Sequence, residues 1–266
     1  MEEDPTIRLV VDREMKQQLL YGVGDQHLDV IVSKMLNKFK IGIELKKPKV
    51  PYRETIRSKV QVQGKHKKQS GGHGQFGDIW VEFEPIIGSD TTFEFVDKVV
   101  GGSVPRQYIP AVEKGLRDCI QKGVLAGYPV VNLRASLVDG SYHPVDSSEM
   151  AFKTAASLAF KKGCAEASPV LLEPICTVQV LVPEENMGDI IGDLNRRRGR
   201  IQGMNPMGDG MQEVVAEAPM GEMFKYATDL RSMTQARGSF RMRFERYEET
   251  PPDIMKKIVA QAQAEE

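Results

Sequence analysis

Near the N-terminus, the spacing of apolar residues predicts two strands, a helix and a third strand. Thr6–Val11 and Gln17–Tyr21 are short apolar runs separated by a charged turn. The helix that follows has Asp25 as its predicted N-cap. Its apolar face recurs at three- and four-residue steps and comprises Leu28, Ile31, Val32, Met35, Leu36 and Phe39. Gly42–Leu45 completes a ββαβ order, in which the sheet lacks a partner strand and helix.

The next segment predicts a β-hairpin closed by a long glycine-rich loop. Pro51–Thr55 is typical of a linker, and strand-like alternation begins at Val60. It resumes over Ile79–Phe83, beyond the loop Ser70–Gly77. The following predicted elements are a helix over Pro105–Gly123 and a strand over Val130–Leu137.

A turn-rich loop containing His143 and Pro144 leads into a further predicted helix. We expect Asp146 to be the N-cap of this helix, with Glu149 completing a capping box. Its small apolar face is formed by Ala151, Ala155, Leu158 and Ala159, and Gly163 is expected to end it. A loop held at a helix start in this way predicts a shaped surface that contacts a partner.

Residues 170–248 predict a complete βαββαβ module, the ferredoxin-like split βαβ. The predicted strands are Ile175–Val182, Arg200–Met204, Gln212–Ala218 and Ser239–Tyr247. One helix begins at Pro183 and the other covers Gly221–Thr234. The second half of this module has the same order as residues 6–48. Residues 251–266 predict an exposed, partly frayed helix.

Composition favours a soluble cytoplasmic protein. The 266 residues are 41% hydrophobic and 27% charged, and no apolar run approaches the ~20 residues of a membrane span. Cys119, Cys164 and Cys176 form no CxxC pair, which indicates a reducing compartment and thiols that act as small hydrophobes. The net charge of -1 argues against a wholly basic nucleic-acid binder. Two basic patches remain, at Lys65–Lys68 and Arg196–Arg200.

Motifs of catalysis and cofactor binding are incomplete. Gly72, Gly74 and Gly77 fit the dinucleotide-binding pattern, but they lead into a strand rather than the helix that would hold a pyrophosphate. They form either a flexible hairpin tip or a bare backbone that can approach phosphates closely. No phosphate-binding loop of nucleotide hydrolases occurs, and the histidines and cysteines lack metal-ligand spacing. We therefore predict no catalytic residues, no metal and no cofactor in this chain.

Three polar positions invite a catalytic-triad interpretation that the sequence does not support. His143, Asp146 and Ser147 lie together, but no nucleophile elbow accompanies Ser147. His143 is then an ordinary loop residue or a polar contact to RNA. The basic run Arg196–Arg200 fits a helix C-terminus as well as it fits a phosphate, so both interpretations stay open.

Seven stretches resemble bacterial elongation factor G, in the order in which that family has them. They are Gly22–Leu28, Lys47–Thr55, Gln69–Gly77, Val124–Val130, Tyr142–Phe152, Met187–Asn195 and Tyr226–Gln235. The resemblance implies an α+β protein of three modules: a partial ferredoxin-like ββαβ, a ribosomal-protein-like βαβ arm with a left-handed crossover, and a complete ferredoxin-like βαββαβ. It assigns 1–57 to a truncated domain III, 58–172 to domain IV, 173–250 to domain V and 251–266 to a tail helix.

The resemblance also implies a role in tRNA–mRNA translocation on the ribosome. In this family domain IV is an arm that mimics a tRNA anticodon stem and enters the decoding site, where its tip loops contact the tRNA–mRNA helix. The corresponding residues here are Gly72, His73, Gly74, Gln75 and Phe76 in one loop, and His143, Pro144, Asp146 and Ser147 in the other. Among these, Gln75 and His143 are the best candidates for contact.

Domain V of the family lies against large-subunit ribosomal RNA and the stalk base. This location favours RNA contact over a purely structural role for four arginines: Arg196, Arg197, Arg198 and Arg200. The chain itself is expected to be a monomer and not an enzyme, with no membrane partner. GTP and magnesium would belong to the absent nucleotide-binding domain of a longer GTPase.

Several tip residues depart from the commonest bacterial pattern. In this chain His73 replaces the more usual arginine, Phe76 a tyrosine, Asp78 a histidine and Pro144 an aspartate. These changes lower the basic charge of the tip and indicate a paralogue. The alternatives to translocation are ribosome recycling, ribosomal protection, and an RNA-binding module unrelated to GTPases. The tip loops keep translocase lengths, which favours translocation.

Overall fold

A computed structural model describes residues 4–13, 15–69, 74–88 and 91–265. The chain forms two compact units, each assembled from two separate stretches. Unit one comprises Met1–Pro51 and Glu173–Glu248. Unit two comprises Tyr52–Leu172 and Glu249–Glu266.

The first module of unit one is a hairpin followed by a helix. Strands β1 (Arg8–Asp12) and β2 (Gln17–Tyr21) pair antiparallel, and helix α1 (Asp25–Phe39) follows. All of α1 lies in the described part of the chain, and none of its residues is buried. The expected apolar face is therefore only partly covered: Leu28, Ile31, Val32 and Met35 are half-buried, whereas Leu36 and Phe39 are each 53% exposed.

Two details of this module differ from the prediction. Asp25 is the first residue of α1 and Gly24 is the N-cap. Its carboxylate instead accepts a hydrogen bond from the Thr228 hydroxyl at 2.7 Å. The predicted strand Gly42–Leu45 is wrong, because the described sheet that holds β1 and β2 has only these two strands and offers it no ladder.

Within its described residues, the first stretch of unit two contains a four-stranded sheet and two α-helices. Its elements are β3 (Arg53–Ile56), β4 (Val60–Lys68), β5 (Gln75–Pro85), β6 (Phe93–Asp97), α2 (Ile109–Ile120), β7 (Leu133–Ser141) and α3 (Glu149–Glu166). The sheet order is β4-β5-β7-β6. Strands β6 and β7 are parallel with α2 between them in sequence, whereas the other pairs are antiparallel. The predicted hairpin is confirmed as β4 and β5.

The prediction missed two strands of this unit. Arg53–Ile56 was expected to be a linker, but it is β3 because its backbone pairs with Pro169–Leu172. Strand β6 was not predicted, although Phe93 and Phe95 flank Glu94 in the alternation of a strand, and its register with β7 places Phe95 opposite Ala135. The strand predicted to begin at Val130 begins at Leu133 instead.

Helix α3 packs closely on the hairpin because glycines face its alanines. A Cβ on Gly64 would lie 2.2 Å from the Ala155 carbonyl oxygen, and one on Gly77 would lie 2.5 Å from that of Ala151. The predicted alanine face is fully buried, but Leu158 is 43% exposed. The expected stop at Gly163 is wrong, since this glycine lies inside α3, where a Cβ would meet the Phe83 ring at 2.4 Å.

The second module of unit one has the predicted ferredoxin-like order. Its elements are β8 (Pro169–Pro183, of which the first four residues belong to unit two), α4 (Met187–Arg196), β9 (Arg200–Gly208), β10 (Met211–Pro219), α5 (Tyr226–Thr234) and β11 (Ser239–Glu249). The strand order is β11-β8-β10-β9. Alternate residues of β8 and β10, among them Val180 and Val214, are buried against α4 and α5.

The C-terminal helix α6 (Pro252–Glu265) belongs to unit two. Thr250 donates its backbone N–H to the Leu171 carbonyl at 2.9 Å, and Ile258 is only 9% exposed. The predicted helix is therefore confirmed, although one side of it is packed. Within the described residues, no helix has the length and apolar character that a membrane span requires.

Candidate RNA-contacting surfaces

The two predicted tip loops meet at one end of unit two. Gly72 and His73 of the first loop lie outside the described residues. Gly74 precedes β5, and Gln75 and Phe76 are its first residues. The second loop joins β7 to α3, and its residues His143 and Pro144 are exposed.

Hydrogen bonds join the described parts of the two loops. The Gly74 backbone N–H donates to Asp146 Oδ1 at 3.0 Å, and the Phe76 N–H donates to the Asp146 carbonyl at 2.8 Å. In return, the Ser147 hydroxyl donates to the Phe76 carbonyl at 2.9 Å. Residues 72 positions apart in sequence therefore form one continuous surface.

The ring of His143 is anchored on one side only. Its Nδ1 accepts the backbone N–H groups of Val145 at 3.3 Å and Asp146 at 3.2 Å. Its own backbone N–H donates to the Ser147 hydroxyl at 2.8 Å. Because backbone N–H groups only donate, Nδ1 must be the acceptor nitrogen and Nε2 carries the ring proton. The side chain is 51% exposed, so Nε2 is available as a donor.

The structure corrects the predicted helix cap beside this loop. Ser148, rather than Asp146, is the N-cap of α3, and its hydroxyl accepts the Ala151 N–H at 3.2 Å. Glu149 is the first helical residue, so it cannot close a capping box across the first turn. The Asp146 carboxylate is two positions too early for capping and bonds the other loop instead.

Gln75 and the nearby lysines form the exposed end of the hairpin. The Gln75 side-chain oxygen lies 2.8 Å from His66 Nε2 across the strand pair. Lys65 lies 5.8 Å from the centre of the Phe76 ring, and Lys67 and Lys68 are exposed. This edge is therefore positively charged, as the basic run predicted.

Asp78 is held inside the hairpin and does not reach the exposed face of the tip. Its side chain is only 9% exposed and accepts hydrogen bonds from Gln63 at 2.7 Å and Ser141 at 2.7 Å. Lys65 lies 3.8 Å from the same carboxylate. The expectation that Asp78 lowers the basic charge of the tip stays a prediction: its carboxylate is buried between three strands and faces Lys65.

The four arginines after α4 differ in how far they are engaged. Arg197 donates to Asp193 at 2.8 Å and to the Glu222 carbonyl at 2.7 Å, and its side chain is 14% exposed. Arg198, with a left-handed φ of 62°, forms an ion pair with Glu173. Arg196 is 78% exposed with a long 3.6 Å contact to Asp193. Arg200 is 63% exposed and pairs with Glu248.

The electrostatics of Arg197 and Arg198 match an internal role. Burial lowers the pKa of Arg197, but its hydrogen bonds to Asp193 and Asp229 outweigh burial and the pKa is raised. Burial likewise opposes the bond to Glu173, and the pKa of Arg198 is also raised. Arg196 and Arg200 are therefore the members of this run best placed to reach a phosphate.

Two residues of unit two that hold loops in place through distant contacts were missed by the sequence analysis, and only one of them contacts a tip loop. The Tyr108 hydroxyl donates to the Ser147 carbonyl at 3.2 Å, and its ring stacks on Phe152 at 4.7 Å. Glu54 lies elsewhere in unit two, where its carboxylate accepts four backbone N–H groups from residues 124–128. No local pattern could have indicated either contact, since the partners lie 39 or more positions away.

Comparison with known proteins matches three consecutive parts of the chain to described protein domains. Residues 1–47 match the family described as Elongation Factor G, domain III, and residues 48–168 match Elongation factor G, domain IV. Residues 170–258 match Elongation factor G C-terminus. The three matches follow one another along nearly the whole chain, and a nucleotide-binding domain is not among them.

A solved structure shows the same fold over the full chain. The crystal structure of ttk003000868 from Thermus thermophilus is 44% identical and superposes with a TM-score of 0.86. The alignment covers 100% of this chain and 39% of that protein, so the chain spans well under half of its relative. With three consecutive domain matches and this fold, the chain belongs to the elongation factor G family, of which it carries domain III, domain IV and the C-terminal domain.

Proposed function

We propose that this chain is the ribosome- and RNA-contacting part of a translational GTPase that promotes tRNA–mRNA translocation. The observation that carries the proposal is the joined pair of tip loops, in which Asp146 and Ser147 bond Gly74 and Phe76. A preformed surface at the end of an arm suits insertion into the decoding site, since little ordering entropy remains to be lost on binding. The domain boundaries 1–57, 58–172, 173–250 and 251–266 are part of this proposal.

The proposed partners are decoding-site RNA, the tRNA–mRNA helix, large-subunit ribosomal RNA and the stalk base. Exposed cations on both units support RNA contact, including Lys67 and Lys68 near the tip and Arg196 after α4. GTP and magnesium would be bound by another domain of the longer protein. The chain would then act through binding and positioning, without a catalytic residue of its own.

Salt-dependent binding of the 266-residue chain to purified ribosomes tests RNA contact directly. Counterion release predicts that log K falls with log salt, with a slope of about -0.7 to -0.9 per neutralised phosphate. Lys67→Ala and Lys68→Ala should each reduce the slope by about one, whereas Lys256→Ala on α6 serves as the matched surface control. A salt-independent affinity would contradict phosphate contact.

The role of the tip in translocation requires the longer protein that carries the GTPase domain. His143→Ala or Gln75→Ala should slow translocation, measured by the puromycin reactivity of peptidyl-tRNA, and leave ribosome-stimulated GTP hydrolysis nearly intact. His27→Ala is the control, because this histidine pairs with Asp4 at 2.8 Å in the first module. Equal loss of both activities would indicate a folding defect.

A specialised paralogue is the second candidate. His73, Phe76 and Pro144 remain departures from the commonest pattern, and Pro144 is exposed beside His143. Ribosome recycling would be recognised by splitting of ribosomes into subunits with little effect on puromycin reactivity. Ribosomal protection would be recognised by restored elongation in the presence of a decoding-site antibiotic.

A further inference from the structure

We propose that Asp146 is a positioning residue whose carboxylate locks the two tip loops into one preformed RNA-contacting surface. It was expected to cap a helix or to contact RNA, but its Oδ1 is occupied by the Gly74 N–H at 3.0 Å. This inference rests on the proposed function, because the partner of the locked surface is the RNA of the decoding site.

The backbone bonds to Phe76 alone would join the loops at a single point. The Phe76 N–H bonds the Asp146 carbonyl, and the Phe76 carbonyl accepts the Ser147 hydroxyl, so both meet at one residue. The Asp146 carboxylate adds a second attachment two residues earlier, at Gly74. Two attachment points remove the rotation that one would allow, and they hold Gly74 and the start of β5 against the second loop.

Gly74 fits this lock and a larger residue would not. A Cβ there would lie 2.9 Å from the Asp146 carboxyl carbon and 2.9 Å from its Oδ2. Any side chain at this position would push the carboxylate away from the N–H that it accepts. Gly74 and Asp146 are therefore complementary, and substitution of either one should break the same contact.

Asp146 also determines which ring nitrogen of His143 is exposed as a donor. The Asp146 backbone N–H donates to His143 Nδ1 at 3.2 Å, which leaves the ring proton on the exposed Nε2. The locked tip thus offers an exposed N–H donor, suited to an acceptor oxygen of a phosphate, ribose or base. Asp146 connects this donor to the first loop through one backbone bond and one side-chain bond.

The first test compares Asp146→Ala, Gly74→Ala and the double variant in ribosome binding by the full chain. A lost hydrogen bond to a charged group is worth a factor of about ten or more, so each single variant should bind at least about tenfold more weakly. The double variant should be no weaker than either single one, because both remove one contact. Additive losses would overturn the lock, as would wild-type affinity of Asp146→Ala.

Two controls separate positioning from folding. Asp146→Asn keeps an acceptor oxygen at the same distance and should restore binding to within about threefold. Asp97→Ala removes a carboxylate that accepts the Val99 N–H at 3.0 Å in the same unit, and should leave binding unchanged. All variants should show thermal unfolding close to wild type, since the remaining tip bonds are intact.

Amide hydrogen exchange tests the lock without ribosomes. Asp146→Ala should speed exchange of the Gly74 N–H and leave the β5 amides from Ile79 onward protected. Unchanged exchange at Gly74 would overturn the proposal, whatever the ribosome affinity. If the wild-type chain fails to bind ribosomes, the proposed function fails and the RNA-contacting role of the lock fails with it. Wild-type binding with an insensitive Asp146→Ala variant would remove the lock alone.

Discussion

At the scale of single residues, the environment of a charge decides what that charge can do. Arg196 and Arg197 are adjacent, but one side chain is 78% exposed and the other 14%. The buried member is held by Asp193, which is itself only 7% exposed. A basic run in a sequence therefore contains two kinds of arginine, one available to a phosphate and one required by the fold.

Replacing Arg197 should cost stability before it affects binding. Arg197→Gln leaves the buried Asp193 with only the long 3.6 Å contact to the exposed Arg196, and breaking a buried pair costs about 3 to 5 kcal/mol. Arg196→Gln, at an exposed position, should change the free energy of unfolding by less than about 0.5 kcal/mol. Urea unfolding of both variants measures the difference, and equal values would contradict the internal role of Arg197.

Glu54 is a second charged residue whose role is set by the groups around it. Its Oε2 accepts the N–H groups of Val124 and Leu125 at 2.7 and 2.9 Å. Its Oε1 accepts those of Ala126 and Tyr128 at 2.9 and 3.2 Å. Burial raises the pKa of Glu54, and the four N–H donors act in the opposite direction.

The isosteric change Glu54→Gln should destabilise unit two. Whichever way the amide is oriented, its NH₂ group faces two backbone donors, and each unsatisfied buried group costs about 1 to 3 kcal/mol. We expect a loss of about 2 to 4 kcal/mol in urea unfolding. Glu113→Gln, which breaks an exposed pair with Arg117, is the control and should cost less than about 0.5 kcal/mol. A loss no larger than that of the control would show that the carboxylate is dispensable.

At the scale of elements, close packing of small residues determines how α3 lies on the β4–β5 hairpin. Gly64 and Gly77 admit the backbone of α3 to contact distance, and Ala151 and Ala155 present no bulk in return. This contact holds the start of α3 beside the base of the first tip loop. The geometry of the tip therefore depends on glycines that are buried under α3.

Gly77→Ala should destabilise this packing and disturb the tip. The added Cβ would lie 2.5 Å from the Ala151 carbonyl oxygen, so backbone must move. Overpacking of this kind costs about 1 to 3 kcal/mol, measurable by urea unfolding. Gly188→Ala in α4 is the control, because a Cβ there has nothing within 4 Å. A neutral or stabilising effect of Gly77→Ala would contradict the close approach.

The elements of this chain could be predicted where periodicity is local, and not where a distant partner decides. The helix α1 and the strands β8 to β11 follow from their apolar spacing and turns. Strand β3 was missed because its partner lies more than a hundred positions away at Pro169–Leu172. The Asp146 cap was wrong for the same reason, since its carboxylate accepts the N–H of Gly74, 72 positions away, and Ser148 caps the helix.

At the scale of the whole molecule, each unit combines stretches that are distant in sequence. Unit two has its core in residues 56–167 yet also includes the C-terminal helix α6. Helix α6 contributes Ala262 and Gln263 to the lining of a pocket of about 820 Å³ that α2 and α3 also line. The tail is thus part of the unit that carries the tip, although it follows the other unit in sequence.

This arrangement predicts that a destabilising change in α6 lowers the stability of the rest of unit two. Ile258 is 9% exposed, and truncating a buried isoleucine costs about 2 to 5 kcal/mol. Ile258→Ala should therefore raise amide exchange of the α2 and α3 amides while leaving β9 and β10 as in the wild type. Gln261→Ala, at an exposed position of the same helix, controls for helix propensity and should change neither. Exchange that rises in the strands around α4 and α5 instead would mean that the tail stabilises unit one. Equal exchange in Ile258→Ala and Gln261→Ala would mean that it stabilises neither.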